Sequence, residues 1–198
     1  MAGVRQFDEA ATLAAALEVF WTKGLAATSM QDLATATGVQ RGSLYNAYGD
    51  KETLFRRAFD LYAARFLAAI ADSLAGDDAE AALKGVFRTA IATMTAGSPA
   101  RGCLTTKTAS DGSTASPEVK ARLADLLDQF ATLVRTALDR PDFRARLALD
   151  PAATADVVVT FTRGLAVMER VHGDPGRLAE TARALVKALV HPAPGRAF

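Results

Sequence analysis

Residues 28–51 read TSMQDLATATGVQRGSLYNAYGDK and contain two short amphipathic segments with Gly38 between them. Glycine suits the left-handed turn that ends a helix, because it has no side chain to clash there. Two pairings can form the reciprocal cap that starts the first segment: Thr28 with Gln31, or Ser29 with Asp32. The pattern therefore predicts two short helices joined by a glycine turn, which is the arrangement of a helix-turn-helix.

The second segment has one apolar side and one side of hydrogen-bonding groups. Val39 and Leu44 are expected to point into a small core. The residues expected to face solvent are Gln40, Arg41, Gly42, Ser43, Tyr45 and Asn46. Short or fork-shaped polar side chains suit base edges and phosphates better than burial. We therefore expect a recognition helix for double-stranded DNA.

The residues around this stretch complete a longer pattern. Phe20 and Gly24 precede it, and a K-E-x-L helix start begins at Lys51. In combination with T-S-M-x-D-L-A, a G-V turn and G-S-L-Y, the pattern resembles the TetR/AcrR family of bacterial transcriptional regulators. The resemblance implies a three-helix DNA-binding domain, a long connecting helix, and a C-terminal helical domain that binds a small-molecule inducer and forms a homodimer. Such a protein is a repressor that a ligand releases from a palindromic operator.

The resemblance also implies positions for the DNA contacts. Phosphate contacts would fall on Thr28, Tyr45, Tyr48 and Lys51, and base contacts on Arg41, Ser43 and Asn46, with Gln31 and Gln40 beside them. Ser29 is a further DNA-binding position, and Gly42 would allow close approach to the groove. Ala47 departs from the family pattern, since many members carry a larger residue there. Tyr45 and Tyr48 are alternatively packing aromatics, and Lys51 is alternatively a surface charge.

The remaining chain has apolar residues at helical spacing, which predicts an all-α fold. A first helix has one apolar face and closes at Gly24, and a long helix is expected from a cap at Asp50 to Gly76. Further helix starts are predicted at Asp77-x-x-Glu80, Ser116-Pro117, Asp150-Pro151 and Asp174-Pro175. A short helix and then a loop are expected in residues 101–116. The predicted domains are 1–50 for DNA binding and 51–198 for ligand binding and dimerisation, with helix 51–75 as the bridge.

Three later helices carry predicted apolar stripes. They are Val119, Leu123, Leu126, Phe130, Leu133 and Ala137; then Val157, Phe161, Leu165 and Met168; then Leu178, Ala182, Leu185 and Leu189. The resemblance implies that the last two helices pair with their symmetry mates, with an interface of Phe161, Gly164, Leu165, Met168, Leu178, Ala182, Leu185 and Leu189. The alternative is that these stripes face only the chain's own core.

The ligand site is the least specified part of the sequence. The helices expected to surround the family's pocket carry Phe87, Met94, Cys103, Leu104, Thr105, Phe130 and Phe161. Such aromatic and methionine stripes are alternatively core packing. The R-G-C-L sequence at Cys103 resembles a subgroup whose thiol senses oxidants or electrophiles, which Arg101 and a helix N-terminus would favour; the alternative is a small buried hydrophobe.

Composition excludes several classes of protein. The 198 residues carry a net charge of +1 and are 50% hydrophobic, without an apolar run long enough to cross a membrane. The first residues, MAGVRQFDEA, lack a secretory signal, so a cytoplasmic protein is expected. The single cysteine and the well-separated His172 and His191 argue against a disulfide or a metal site, and neither a cofactor motif nor a catalytic motif is found. A DNA-organising protein without an inducer stays open as an alternative.

Overall fold

The computed structural model describes residues 7–191, apart from the side chain of Ala115, and confirms the all-α prediction in that range. The predictions that concern residues 1–6 and 192–198, including the first residues of the chain and the outer domain limits, lie outside the described residues. The helices are α1 Glu9–Lys23, α2 Met30–Thr37, α3 Arg41–Tyr48, α4 Lys51–Ser73, α5 Ala79–Thr95, α6 Leu104–Ser110, α7 Pro117–Leu138, α8 Pro141–Arg144, α9 Pro151–His172 and α10 Pro175–Leu189. No helix in this part of the chain is both long and apolar enough to cross a membrane.

Most predicted helix starts are confirmed by their caps. Asp50 accepts a hydrogen bond from the Thr53 amide at 2.7 Å, and Asp150 accepts from the amide of Ala153 at 2.9 Å. Asp174 accepts likewise from the amide of Arg177. The start predicted at Asp77 is wrong by one residue, because the carboxylate of Asp78 caps α5 instead. Each cap satisfies backbone amides that have no partner within the helix.

The structure divides into two compact units. The first comprises the described residues through Arg65 together with Cys103–Ala124, so that it holds α1 to α3, most of α4, α6 and the start of α7. Its core includes Leu33, Leu44 and an edge-to-face pair of Phe20 and Phe55, whose centroids lie 5.2 Å apart. The boundary predicted at residue 50 separates functions and not compact units, so it stays a prediction.

The second unit comprises Phe66–Gly102 and the described chain from Asp125. In it, α5 packs against both α9 and α10. Gly85 permits a close approach, because a Cβ atom there would overlap the carbonyl oxygen of Ser73 at the end of α4. Alanine is therefore too large at this position of α5.

The buried faces of two helices differ from the predicted stripes. On α7, burial passes from Phe130 to Val134 and Leu138, and not to Leu133 and Ala137. Both sets fit helical spacing, so the elements that α7 packs against, and not its own pattern, decide which set is buried.

On α9 the buried face is Thr154, Val158, Thr162, Leu165 and Glu169, so that of the predicted stripe only Leu165 is buried. Threonine can take core positions because its hydroxyl bonds to a carbonyl of its own helix, as Thr162 does with Val159 at 2.7 Å. Met168 is 49% exposed.

Candidate DNA-binding site

The first helix of the motif starts with a reciprocal cap between Ser29 and Asp32. The Ser29 hydroxyl accepts from the Asp32 amide at 3.1 Å, and the Asp32 carboxylate accepts from the Ser29 amide at 2.9 Å. The reciprocal cap is therefore formed by Ser29 with Asp32, and not by Thr28 with Gln31. A hydrogen bond from Lys23 at 2.6 Å, followed by those from Ser29, holds the pKa of Asp32 well below its usual range. The charge therefore persists at a helix N-terminus, where it is favourable.

The turn between the two helices depends on Gly38. Its φ is 67°, in the left-handed region, which confirms the predicted turn. Leu33 on α2 and Leu44 on α3 are fully buried, whereas Val39 is half-buried. These contacts fix α3 against α2 and determine which side of α3 faces outward.

The outward side of α3 carries most of the predicted DNA contacts. Gln40, Arg41, Gly42, Tyr45 and Asn46 are exposed, and Ser43 is half-buried. The Arg41 guanidinium donates to the Tyr45 hydroxyl at 3.4 Å and lies 5.5 Å from the centre of its ring. α3 contains no acidic residue, so its surface does not repel phosphate.

Thr28 and Lys51 hold the turn between α1 and α2. The buried Thr28 hydroxyl donates to the Gly24 carbonyl at 2.6 Å. The Lys51 ammonium donates to the carbonyls of Leu25 and Thr28, each at 2.8 Å. These carbonyl oxygens offset the cost of a cation at a helix start, for which a phosphate was expected. A phosphate contact by the Thr28 hydroxyl would require its bond to break, because a hydroxyl has one donor. The Lys51 ammonium has three donors, of which two make these short bonds and the third lies 3.5 Å from the Ala26 carbonyl.

Tyr48 is placed with the core. It is 5% exposed, and its ring centre lies 6.4 Å from that of Phe7. This position agrees with the packing alternative, whereas Tyr45, 40% exposed, lies on the outward side. Gln31 and Ser29 are both exposed, although the hydroxyl of Ser29 is engaged in the cap.

A second anchor of the α1–α2 turn comes from α6. The Lys107 ammonium donates to the carbonyls of Trp21 and Thr22 at the end of α1. One turn later, Asp111 accepts from the amide of Ala26 at 3.3 Å. Neither residue is recognisable from the sequence, because the partners lie about 85 positions away and no local pattern relates them.

The predicted ligand residues are mostly buried. Cys103, Leu104 and Thr105 lie in the first unit; Phe87, Met94 and Phe130 lie in the second, where Phe161 is half-buried. The Cys103 sulfur lies 3.9 Å from the Tyr62 hydroxyl.

The threonine hydroxyls of α6 differ from those of the other helices. Those of Thr105 and Thr108 are buried and have no hydrogen-bond partner among the described residues. Elsewhere, hydroxyls such as those of Thr93 and Thr181 donate to a carbonyl one turn earlier. Within the part of the chain that the structure describes, no cluster of three or more potential metal ligands occurs.

The predicted dimer residues separate into two groups. Leu165, Leu178, Ala182 and Leu189 are buried within the chain's own second unit, Phe161 and Leu185 are half-buried, and Gly164 and Met168 are exposed. Beside the last two, Val167 is 49% and Val171 68% exposed. The sequence pattern does not single out these valines, because α9 has apolar residues on more than one side. We call Gly164, Val167, Met168 and Val171 the α9 apolar face.

Comparisons with known proteins match both parts of the chain. The model of "Bacterial regulatory proteins, tetR family" matches residues 13–58, and that of "Tetracyclin repressor-like, C-terminal domain" matches residues 79–185. The transcriptional repressor ComR of Escherichia coli K12 is 45% identical over 62 residues, which cover 31% of this chain and 30% of ComR. The uncharacterized regulator YezE of Bacillus subtilis 168 is 34% identical over 100 residues, covering 50% of this chain and 52% of YezE. The chain thus spans about a third to a half of these curated relatives.

Solved structures resemble the chain over nearly its whole length. A cysteine mutant of the regulator CifR, complexed with 26-bp operator DNA, is 27% identical with a TM-score of 0.83, covering 94% of this chain and 99% of CifR. The reduced form of NemR from E. coli is 18% identical to this chain, with a TM-score of 0.82. The match covers 93% of this chain and 98% of NemR, and it shows the shared fold. Since one family model alone matches more than half of the residues and the other matches the helix-turn-helix, the chain belongs to the TetR family of bacterial regulatory proteins.

Proposed function

We propose that the chain is a sequence-specific DNA-binding transcriptional regulator that represses its target until a small molecule binds. The observation that carries this proposal is the outward side of α3, which presents Arg41, Tyr45 and Asn46 and carries no carboxylate. The family membership supports it, as do the repressor ComR and the operator complex of CifR among its relatives.

In this proposal α3 enters the major groove. Arg41, Ser43 and Asn46 read bases, with Gln31 and Gln40 beside them, and Gly42 allows the helix to approach closely. Tyr45 and the amides at the start of α3, which no side chain caps, contact phosphates. Ser29 is an exposed residue of the same motif, but its amide and hydroxyl are engaged in the cap with Asp32. Thr28, Tyr48 and Lys51 act mainly as the scaffold of the motif, because their side chains are engaged or buried.

A homodimer is part of the same proposal. The α9 apolar face exposes four neighbouring small or apolar positions on one helix, which is unfavourable in water and suits a symmetric contact. Half-buried Phe161 and Leu185 extend the proposed interface. Two copies of α3 would then read an inverted repeat.

The proposed inducer binds beside α6. The buried hydroxyls of Thr105 and Thr108 have no partner among the described residues, and an unsatisfied buried hydroxyl costs about 1–3 kcal/mol. A ligand that supplies those bonds would move α6, and Lys107 and Asp111 would transmit the movement to the turn before α2.

The alternatives have less support. Cys103 is 8% exposed, and burial limits the access of oxidants to its thiol. A DNA-organising protein would lack ligand-dependent release. The proposed role places the protein with DNA in the cytoplasm and assigns it no catalytic reaction.

Selection of genomic DNA fragments by the purified protein, followed by footprinting, tests the proposal. We expect an inverted repeat, with protection that two copies of the protein share. The region flanking the protein's own gene is the first candidate. Uniform binding to all fragments, or a bound species with one chain per site, would contradict the proposal.

A further inference from the structure

An open groove runs between α5 and α10 in the second unit, with a volume of about 410 Å³. Its floor consists of Phe87, Ile91, Ala182 and Val186, all of which are buried. The volume falls within the range of about 300–1,000 Å³ that is typical of small-molecule sites. The groove therefore has room for a compact organic molecule on an apolar floor.

The rim of the groove is cationic on both sides. Lys84 and Arg88 lie one turn apart on α5, and Arg183 lies on α10, whereas none of the described lining residues is acidic. Lys84 is paired with Glu80 at 2.6 Å, and Glu180 approaches Arg183 at 3.9 Å. Arg88 makes no ion pair or side-chain hydrogen bond with a described residue. Among the described residues, the positive charge of Arg88 at the rim thus has no counter-charge.

The groove stays open because its wall positions carry small residues. Ala92 on α5 and Ala179 on α10 line it together with Ala182. An uncharged apolar molecule would contact the floor and leave the arginines unused. An organic cation would be repelled at the rim. A molecule with an apolar body and a negative group complements both the apolar floor and the cationic rim.

We propose that this groove binds an amphipathic organic anion, of the class of medium-chain carboxylates. Its hydrocarbon part lies over Phe87 and Val186, and its carboxylate is held by Arg88 and Arg183. Guanidinium groups suit this role because their donors match the two oxygens of a carboxylate. The site is separate from α3 and α6, so the inference does not depend on the proposed DNA binding.

Isothermal titration of the full chain with decanoate, below its micelle concentration, tests the proposal, with decanol as the uncharged probe. Charge reversal in the double variant Arg88→Glu with Arg183→Glu should weaken decanoate binding at least about fivefold and leave decanol binding unchanged. The matched control is Arg177→Glu, an exposed arginine two positions from Ala179 and hence on another side of α10. Its decanoate affinity should stay within about twofold of the unaltered chain.

A second variant tests the floor independently of charge. Ala92→Phe places a ring at an exposed lining position and should weaken both decanoate and decanol. Thermal melting by circular dichroism checks that each variant is folded; if the charge-reversal pair is not, Ala92→Phe decides. The proposal is overturned if the unaltered chain does not bind decanoate, if Arg177→Glu loses as much affinity as the double variant, or if Ala92→Phe binds both probes normally. None of these results would change the DNA-binding proposal.

Discussion

Single residues of the helix-turn-helix fall into a scaffold and a proposed DNA-contact surface. Thr28 and Lys51 donate to backbone carbonyls, and Leu44 fills the core, so these residues fix the motif. Arg41 and Asn46 are exposed on the side of α3 that is proposed to meet DNA. Substitutions in the scaffold should change stability, whereas those on the surface should change DNA affinity.

Arg41→Ala should weaken binding to the operator by about 1–3 kcal/mol and relax base preference at one position, because a guanidinium that reads a base edge is lost. Fluorescence anisotropy with operator and scrambled duplexes at one fixed salt concentration measures the effect. Arg177→Ala, an exposed arginine in the second unit, is the control. Equal losses on operator and scrambled DNA would assign Arg41 to phosphate contact instead.

Asp32→Asn should lower the urea midpoint at neutral pH, since the capping charge is lost. The pKa of Asp32 is lowered in the folded chain, mainly by the hydrogen bond from Lys23. A carboxylate whose pKa is lowered on folding stabilises the fold at pH values above its pKa in the unfolded chain, about 3.9. It loses this stabilising effect as the pH falls below that value. The difference in urea midpoint between the variant and the unaltered chain should therefore shrink below about pH 4. With the exposed Asp72→Asn as control, a difference that does not depend on pH would argue against this linkage.

Among the elements, α6 and the turn before α2 are joined by side chains that reach the backbone. Lys107 binds carbonyls at the end of α1, and Asp111 binds an amide of the turn. Because carbonyls at a helix end lack partners within the helix, a cation there stabilises them. The position of α2, and with it α3, thus depends on α6.

Lys107→Met should reduce the free energy of unfolding by about 1–2 kcal/mol, because charge-assisted bonds to two carbonyls are lost. Operator affinity should fall as well, although Lys107 is not proposed to touch DNA. Urea unfolding and anisotropy measure the two effects, and Lys120→Met, exposed on α7, is the control. Unchanged operator affinity in a destabilised Lys107→Met would remove α6 from the proposed signal route.

The contact between α5 and the end of α4 depends on a missing side chain. Gly85→Ala should destabilise the protein by about 1–3 kcal/mol, because the added methyl group overlaps the Ser73 carbonyl. Gly42→Ala is the matched control: its Cβ would meet nothing within 4 Å, so higher helix propensity should add about 0.5–1 kcal/mol. Thermal melts without DNA compare the two, and similar melting temperatures would show that α5 can shift to accept the methyl group.

At the scale of the whole molecule, the α9 apolar face determines the proposed assembly. Met168→Glu with Val171→Glu should raise the dissociation constant of the dimer at least about tenfold, because like charges would meet across the two-fold axis. Light scattering after size exclusion measures the mass, and operator binding should weaken in parallel. Leu149→Glu alters an exposed apolar residue that precedes the N-cap of α9 and lies outside the α9 apolar face, so it should leave the dimer intact. A dimer that persists in the double variant would place the interface elsewhere.

The sequence alone determined the elements and the motif, because caps, glycine turns and helical periodicity act over a few residues. Gly38 and the Asp150 cap are of this kind, whereas the structure chose Ser29 with Asp32 over Thr28 with Gln31. Only the tertiary structure decided that Lys51 and Lys107 bind backbone carbonyls, that threonines fill the core side of α9, and that Val171 faces solvent. These outcomes depend on which helix packs against which, and a helix with apolar residues on several sides does not specify that choice by its own pattern.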